Sequence, residues 1–172
     1  MRRTISAAAI LCLLASAGIM ASTASAKIVV GQSIAGVKLG DTEAQVKRLV
    51  GKPSACEPCG KSVREWRYTE ARGFEGVITF DSTGRVKGMW TGSEAQTTSK
   101  GIHANGFSGT GHGSSLAEIK QAYPSAKCEE LPNSNGFATC ELISYYHGRK
   151  VDTNFLIKAA FAGVAEIAVD YV

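Results

Sequence analysis

The stretch from Gly36 to Pro53 carries apolar residues at helical spacing between a start signal and a stop. Its stripe falls at positions i, i+3 and i+4 and consists of Val46, Leu49 and Val50. Thr42 followed by Gln45 fits a capping box, in which each side chain satisfies a backbone N–H at the helix start. Asp41 is a competing N-cap, and Pro53 blocks continuation of the helix. The pattern predicts a short capped helix.

The stretch from Gly111 to Pro124 repeats this pattern at an offset of 73 residues. Ser115 and Glu118 form the equivalent capping box. The equivalent apolar stripe consists of Ile119, Ala122 and Tyr123. A repeat of this length indicates a duplicated unit of domain size, not a solenoid repeat.

After each helix, alternating apolar and polar positions predict three antiparallel strands. The six predicted strands are Arg64 to Thr69, Phe74 to Phe80, Arg85 to Thr91, Ala138 to His147, Lys150 to Ala159 and Val164 to Val172. The last alternates most cleanly, with Glu166, Ala168 and Asp170 outward. The stripe of each helix has to be buried, and the sheet of its own half is the only large apolar partner.

The sequence therefore predicts an α+β fold of two tandem repeats, each a helical segment packed on a small antiparallel β-sheet. The first repeat covers 27–92, a polar and turn-like linker covers 93–101, and the second repeat covers 102–172.

The N-terminus has the pattern of a secretory signal peptide over residues 1–26. Arg2 and Arg3 precede an apolar run from Ile5 to Met20, and Ala24-Ser25-Ala26 is an A-x-A cleavage site. An N-terminal membrane anchor is the alternative, but the run is short and the cleavage site is good. We expect a mature chain of residues 27–172 that is secreted or periplasmic. No second long apolar segment follows, so we expect no stable membrane insertion after cleavage.

Charge adds little to this picture. The chain has a formal net charge of +4, and removal of Arg2 and Arg3 leaves +2. The basic residues are scattered, so neither nucleic acid nor an anionic membrane is an expected partner.

Four cysteines remain after cleavage, and an even number in an exported chain indicates disulfides with three possible pairings. We favour Cys56 with Cys59 and Cys128 with Cys140, one bond in each half. The alternative is a thiol-disulfide oxidoreductase that uses Cys56 and Cys59. A thioredoxin-like C-x-x-C follows a strand and begins a helix, whereas this one follows a helix stop and leads into a strand.

Catalytic and metal-binding patterns are weak in this sequence. The histidines are His103, His112 and His147, and their spacing matches no zinc motif. The run from Gly111 to Ser115 places His112 near two serines, but it is not the G-x-S-x-G of a nucleophile elbow. We therefore expect no enzyme, no catalytic residues, no metal and no cofactor.

The run L-G-D-T-E-A-Q-V-K-R-L-V-G-K-P, the second helix ending in A-Y-P and one cysteine at a matching place in each half resemble the β-lactamase inhibitory protein family. The helix motif is also similar to that of the small outer-membrane assembly lipoproteins. The resemblance implies tandem repeats whose joined sheets grip a partner protein. The spacing of Cys128 and Cys140 fits the disulfide within each repeat of that family, and the tight spacing of Cys56 and Cys59 departs from it.

In those inhibitors an acidic residue on a hairpin loop of the first repeat enters the enzyme. The nearest hairpin here carries Glu70 and Arg72 between aromatic residues, and it has no aspartate. Because aromatic residues dominate binding hot spots, the predicted contact surface consists of Trp66, Tyr68, Glu70, Arg72, Phe74, Trp90, Tyr145 and Tyr146. The predicted function is an exported protein-binding module whose partner protein is unknown. The alternatives are an envelope-maintenance role, as in the lipoproteins, and the oxidoreductase.

Overall fold

The computed structural model describes residues 27–57, 64–71, 74–105, 113–131, 136–158 and 163–172. The helices in this part of the chain are α1 (Glu43–Val50) and α2 (Leu116–Ala122). The strands are β1 (Lys27–Ile28), β2 (Ser33–Ile34), β3 (Val37–Lys38), β4 (Ala55–Glu57), β5 (Arg64–Ala71), β6 (Phe74–Phe80), β7 (Val86–Thr91), β8 (Thr97–Thr98), β9 (Lys127–Glu130), β10 (Phe137–Tyr146), β11 (Arg149–Lys158) and β12 (Gly163–Tyr171).

One eight-stranded antiparallel sheet dominates the fold, in the order β4-β5-β6-β7-β12-β11-β10-β9. The two halves of the chain meet where β7 pairs with β12, with Trp90 opposite Ala168 and Met89 opposite Val169. The predicted fold class is therefore wrong, because the protein is mostly β and both halves of the chain contribute to one continuous eight-stranded sheet. The physical reason is the strand edge. Two small sheets would each leave unpaired N–H and C=O groups on β7 and β12, and joining them satisfies both edges.

Both predicted helix starts are confirmed. The Thr42 N–H donates to Gln45 Oε1 at 2.8 Å, and the Gln45 N–H donates back to Thr42 Oγ1 at 3.4 Å. Asp41 is not the cap, since its carboxylate accepts from the Lys38 N–H at 2.8 Å. In α2 the Ser115 N–H donates to the Glu118 carboxylate at 2.7 Å, which completes the second box.

Loss of either cap is expected to destabilise the protein. Thr42→Ala and Ser115→Ala should each lower the free energy of unfolding by about 1 kcal/mol, because a helix N–H loses its acceptor. Thr42→Ser and Ser115→Thr keep the hydroxyl and are the controls, with expected losses of a few tenths of a kcal/mol. Urea denaturation followed by circular dichroism measures both. Silent alanine variants would contradict the capping geometry.

Both helices pack on the same face of the sheet, which we call the core face. Val46 and Val50 of α1 and Ile119 of α2 belong to one buried cluster with the inward residues of the central strands. The ring of Tyr123, which ends α2, stacks on Phe155 of β11 at 5.7 Å. The fold therefore has a sheet layer and a layer of helices and short strands behind it.

The N-terminal segment and the predicted linker pair with each other. Lys27–Ile28 of β1 runs parallel to Thr97–Thr98 of β8, and Gln96 is fully buried. The Gly31 N–H donates to Thr153 Oγ1 at 2.8 Å, which ties the N-terminal segment to β11. Within the predicted linker 93–101, Gln96 and Thr98 are buried, while Glu94, Ala95, Ser99 and Lys100 are exposed.

The predicted bond between Cys128 and Cys140 is confirmed, and it joins direct partners on β9 and β10. Cys56 is also disulfide-bonded, while its predicted partner, Cys59, lies outside the described residues. Disulfides persist in oxidising compartments, so the bond indicates a protein exported from the cytoplasm.

The predicted signal peptide, 1–26, lies outside the described residues. Neither described helix has the length and hydropathy needed to cross a membrane.

Candidate functional site

The sheet face opposite the helices, which we call the open face, carries the side chains that alternate with the core residues. The buried core cluster of the described chain contains residues of both helices and of β1, β2 and β3, but none from the open face. Across the five strands β6, β7, β12, β11 and β10, the open face comprises Glu75, Val77, Thr79, Gly88, Trp90, Glu166, Ala168, Asp170, Lys150, Asp152, Asn154, Leu156, Lys158, Phe137, Thr139, Glu141, Ile143 and Tyr145.

Three aromatic residues that were predicted to face a partner lie in the core. Trp66, Tyr68 and Phe74 are 4%, 2% and 0% exposed. The ring of Trp66 packs 4.5 Å from that of Phe80, and the ring of Tyr68 packs 5.4 Å from that of Phe74. They lie on the core face because the apolar stripe of α1 needs apolar cover there. They cannot form part of a contact surface, and the prediction for these three residues is corrected accordingly.

The other predicted contact residues divide between the faces. Trp90 and Tyr145 lie on the open face, Trp90 half-buried between Val77 and Ala168 and Tyr145 74% exposed. Tyr146 lies on the core-face side, where its hydroxyl accepts from Gln32 Nε2 at 3.4 Å. The Glu70 side chain and Arg72 lie outside the described residues.

An apolar patch borders one end of the open face. Ile143, two residues before Tyr145 on the same face of β10, is 43% exposed. Val172, 71% exposed, follows β12, and its N–H donates to the carbonyl of Lys150, the cross-strand partner of Tyr145. Ile143 was missed from sequence. Its alternation with the inward residues of β10 could have placed it on the solvent side with Tyr145.

Carboxylates occupy the centre of the open face, and sequence reasoning missed them as a group. Asp152 on β11 is the direct cross-strand partner of Asp170 on β12. Burial and the nearby Asp152 charge raise the pKa of Asp170 to about 6, while Lys87 opposes the rise. Burial and Glu141 raise the pKa of Asp152, while Lys150 opposes the rise.

Glu166 belongs to the same group. Burial and the Asp170 charge raise the pKa of the Glu166 carboxyl. The charge of each acid therefore adds to burial in favouring the protonated form of its neighbour.

A glycine makes room for one of these carboxyls. Gly88 is the cross-strand partner of Asp170 on β7, and a β-carbon at residue 88 would lie 1.6 Å from Asp170 Oδ1. The Asp170 carboxyl therefore lies over the Gly88 backbone, two residues from Trp90 on the same face. Asp152 Oδ1 is buried and accepts no hydrogen bond within the described part of the chain.

A cleft of about 410 Å³ lies beside α2, on a different part of the molecule from the open face, and includes a serine–histidine contact. Ser114 Oγ lies 3.3 Å from His103 Nδ1, which also lies 3.2 Å from the Gly101 carbonyl. Ser114 is only 3% exposed, and its Oγ accepts from the His103 backbone N–H at 3.2 Å. These contacts hold the loop before α2. His112 lies outside the described residues.

The cleft beside α1 has a volume of about 370 Å³ and is lined by Glu43, Lys47, Lys52, Pro53, Cys56, Arg64 and Trp66. Three of its charged side chains make contacts there: Arg64 Nη1 lies 2.5 Å from Glu43 Oε1, and Lys47 Nζ lies 4.8 Å from the centre of the Trp66 ring. Cys56 lies within strand β4, whereas the reactive cysteine of a thioredoxin-like site begins a helix. The oxidoreductase alternative gains no support from this position.

No family model matches the sequence, and no curated protein matches it. The fold is similar to that of an extracellular protein containing an SCP domain from Bacillus anthracis, with a TM-score of 0.51 and 10% identity. The match covers 77% of this chain but 44% of that one, so the chain spans less than half of that structure. A DUF4309 family protein (YjgB) from Bacillus subtilis gives a TM-score of 0.48 and 14% identity, over 83% of this chain and 88% of that one. Likeness at such identities describes the fold alone.

Proposed function

We propose that this protein is an exported binding module, secreted or periplasmic, that engages another protein through the open face. The observation that carries the proposal is the pair of large exposed side chains on β10, Tyr145 at 74% and Ile143 at 43% exposure. Tyr145 presents an amphipathic ring at the edge of a rigid sheet, and such residues are frequent binding hot spots.

The rest of the open face supports the same function. Trp90 lies half-buried at the middle of the sheet, with the small residue Ala168 beside it. An eight-stranded sheet backed by helices changes little on binding, so such a surface loses little conformational entropy when a partner docks. The resemblance to the β-lactamase inhibitory proteins points to the same kind of surface. Glu70 and Arg72 stay predicted extensions of it.

The test is affinity capture from envelope and culture extracts with the mature chain and two variants as bait. Tyr145→Ala should weaken capture of the specific partner by about 1 kcal/mol or more, because an anchor ring is lost. Leu49→Ala is the matched control, since Leu49 is a 41% exposed apolar residue on α1, behind the sheet.

Circular dichroism establishes that both variants stay folded, and titration of the recovered partner gives the affinities. A partner that binds the Tyr145 variant as tightly as the parent, or that is lost with the Leu49 variant, would place the interface elsewhere.

A further inference from the structure

The open face is acidic at its centre although the chain as a whole is basic. The formal net charge is +4. The carboxyls at the centre of the open face are those of Glu141, Asp152, Glu166 and Asp170. The lysines that act on the two aspartates are Lys87 and Lys150, so two positive charges face four carboxyls. Within the described chain, this centre keeps a surplus of negative charge that a partner of opposite charge can neutralise.

Two of these carboxyls lie directly opposite each other. Asp152 and Asp170 are cross-strand partners, which places their β-carbons roughly 4.5–5.5 Å apart. Like charges in this arrangement destabilise a sheet. Asp152 Oδ1 is also buried and lacks a donor among the described residues. Buried acceptors in folded proteins are nearly always satisfied, so Asp152 Oδ1 has room to accept a hydrogen bond from a donor outside the described chain.

The surroundings suit a side-chain cation better than a metal ion. The described residues contain no group of three or more histidines, cysteines or acids that could hold a metal ion, and calcium takes six to eight oxygen ligands. The Asp170 carboxyl fills the space over Gly88, two residues from Trp90 on the same face, and the Trp90 ring can attract a cation across its face. Ile143 is the other cross-strand partner of Asp152, so an apolar border adjoins the acids.

We propose that the partner protein places an arginine or lysine side chain on the Asp152–Asp170 pair, beside Trp90, with apolar contacts to Ile143 and Tyr145. This inference rests on the proposed function, because it names the chemistry of the partner at the same surface. A planar guanidinium can donate to two carboxylates and stack on an aromatic ring at once, so arginine fits best. The partner segment is a basic residue flanked by apolar ones.

The test uses a library of random peptide loops displayed on a rigid scaffold, selected for binding to the mature chain at neutral pH. Selected loops are titrated against the parent, Tyr145→Ala and the double variant Asp152→Asn/Asp170→Asn. Glu57→Gln/Glu129→Gln is the matched control, because it removes two carboxylates from the exposed edge strands β4 and β9. This control distinguishes a specific contact with Asp152 and Asp170 from the general electrostatic attraction of the protein's negative charges.

We expect the loops that need Tyr145 to be enriched in arginine and lysine. They should bind the aspartate double variant at least about tenfold more weakly than the parent, and the control variant within about twofold. On the parent alone, binding should weaken as the pH falls through about 6. Protonation of Asp170 removes its negative charge near this pH. The other charged groups around the site are Lys87, Lys150, Asp152, Glu141 and Glu166. This pH series needs no variant to fold.

Three outcomes would overturn the inference while the proposed function stands, and the first two are Tyr145-dependent loops without basic residues and loops that lose as much affinity on the control variant. Loops that need arginine but are displaced by calcium would assign the acids to a metal ion and overturn it too. If no selected loop depends on Tyr145, the proposed function fails together with the inference.

Discussion

Replacing Trp66 by alanine is expected to lower the free energy of unfolding by about 3–5 kcal/mol. The side chain is 4% exposed, its ring lies 4.5 Å from that of Phe80, and Lys47 Nζ lies 4.8 Å from the ring centre on the helix side. Truncation removes this apolar burial and leaves a cavity between α1 and the sheet, and both effects destabilise the fold. Urea denaturation followed by far-UV circular dichroism measures the loss without relying on tryptophan fluorescence.

Trp90→Ala is the matched control, because it removes the same side chain from the opposite face of the same sheet. Trp90 is half-buried and belongs to no buried core cluster of the described residues. Its truncation should therefore cost less than about 2 kcal/mol. Equal losses for the two variants would contradict the assignment of Trp66 to the core face and Trp90 to the open face.

The parts of the fold that sequence predicted well depend on neighbours close in the chain. The two capping boxes need residues only three positions apart, Thr42 with Gln45 and Ser115 with Glu118, and both are confirmed. The clean alternation of the last strand is also confirmed, with Ile167 and Val169 fully buried. Local spacing carries this information because the helix and strand periods are themselves local.

The parts that sequence missed depend on pairing between distant segments. The alternation of apolar and polar residues in β7 and β12 does not predict that these two strands pair with each other. That one pairing joins both halves of the chain into the eight-stranded sheet. Thr97–Thr98 is polar and reads as a turn, yet it pairs with Lys27–Ile28. Backbone hydrogen bonds form such a strand pair whatever the side chains are, so the amino-acid composition of the segment does not predict it.

Only part of the candidate site could be predicted from the sequence, for the same reason. Trp66 and Trp90 both lie in alternating strands, and only the position of α1 decides which ring is covered. The outward placement of Glu166 and Asp170 was predicted, but the cross-strand partner of Asp170 was not. Register is what turns two isolated outward acids, Asp152 and Asp170, into a facing pair. The site is therefore a product of strand pairing and not of a sequence motif.

That facing pair works against stability, which is informative about function. A part-buried acid whose pKa is raised destabilises the charged folded state, and natural proteins keep such groups mainly where activity needs them. Folding alone gives Asp170 no reason to be an acid, because an asparagine of the same shape would avoid the repulsion from Asp152.

Asp170→Asn is accordingly expected to stabilise the protein at neutral pH. The folded pKa of Asp170 is raised to about 6 from its usual 3.8. A raised pKa means that the stability contributed by this group is fully present below about pH 4 and is lost as the pH rises through about 6. Two pKa units correspond to about 2.7 kcal/mol, and solvent screening of this part-exposed carboxyl reduces the expected gain to about 1–2 kcal/mol.

Urea denaturation of parent and variant across the range from acidic to neutral pH measures this gain. The variant should match the parent at the acidic end, where Asp170 is protonated, and exceed it increasingly toward neutral pH. Asp81→Asn is a control with the opposite sign. Burial acts to raise the pKa of Asp81, but hydrogen bonds from Thr83 and Arg85 lower it below its usual value. The Asp81 carboxylate therefore stabilises the folded protein at neutral pH, and this stabilisation is lost as the pH falls. An Asp170→Asn variant that is less stable than the parent at neutral pH would show that the Asp170 carboxylate is satisfied within the chain, which would leave a partner's cation nothing to neutralise.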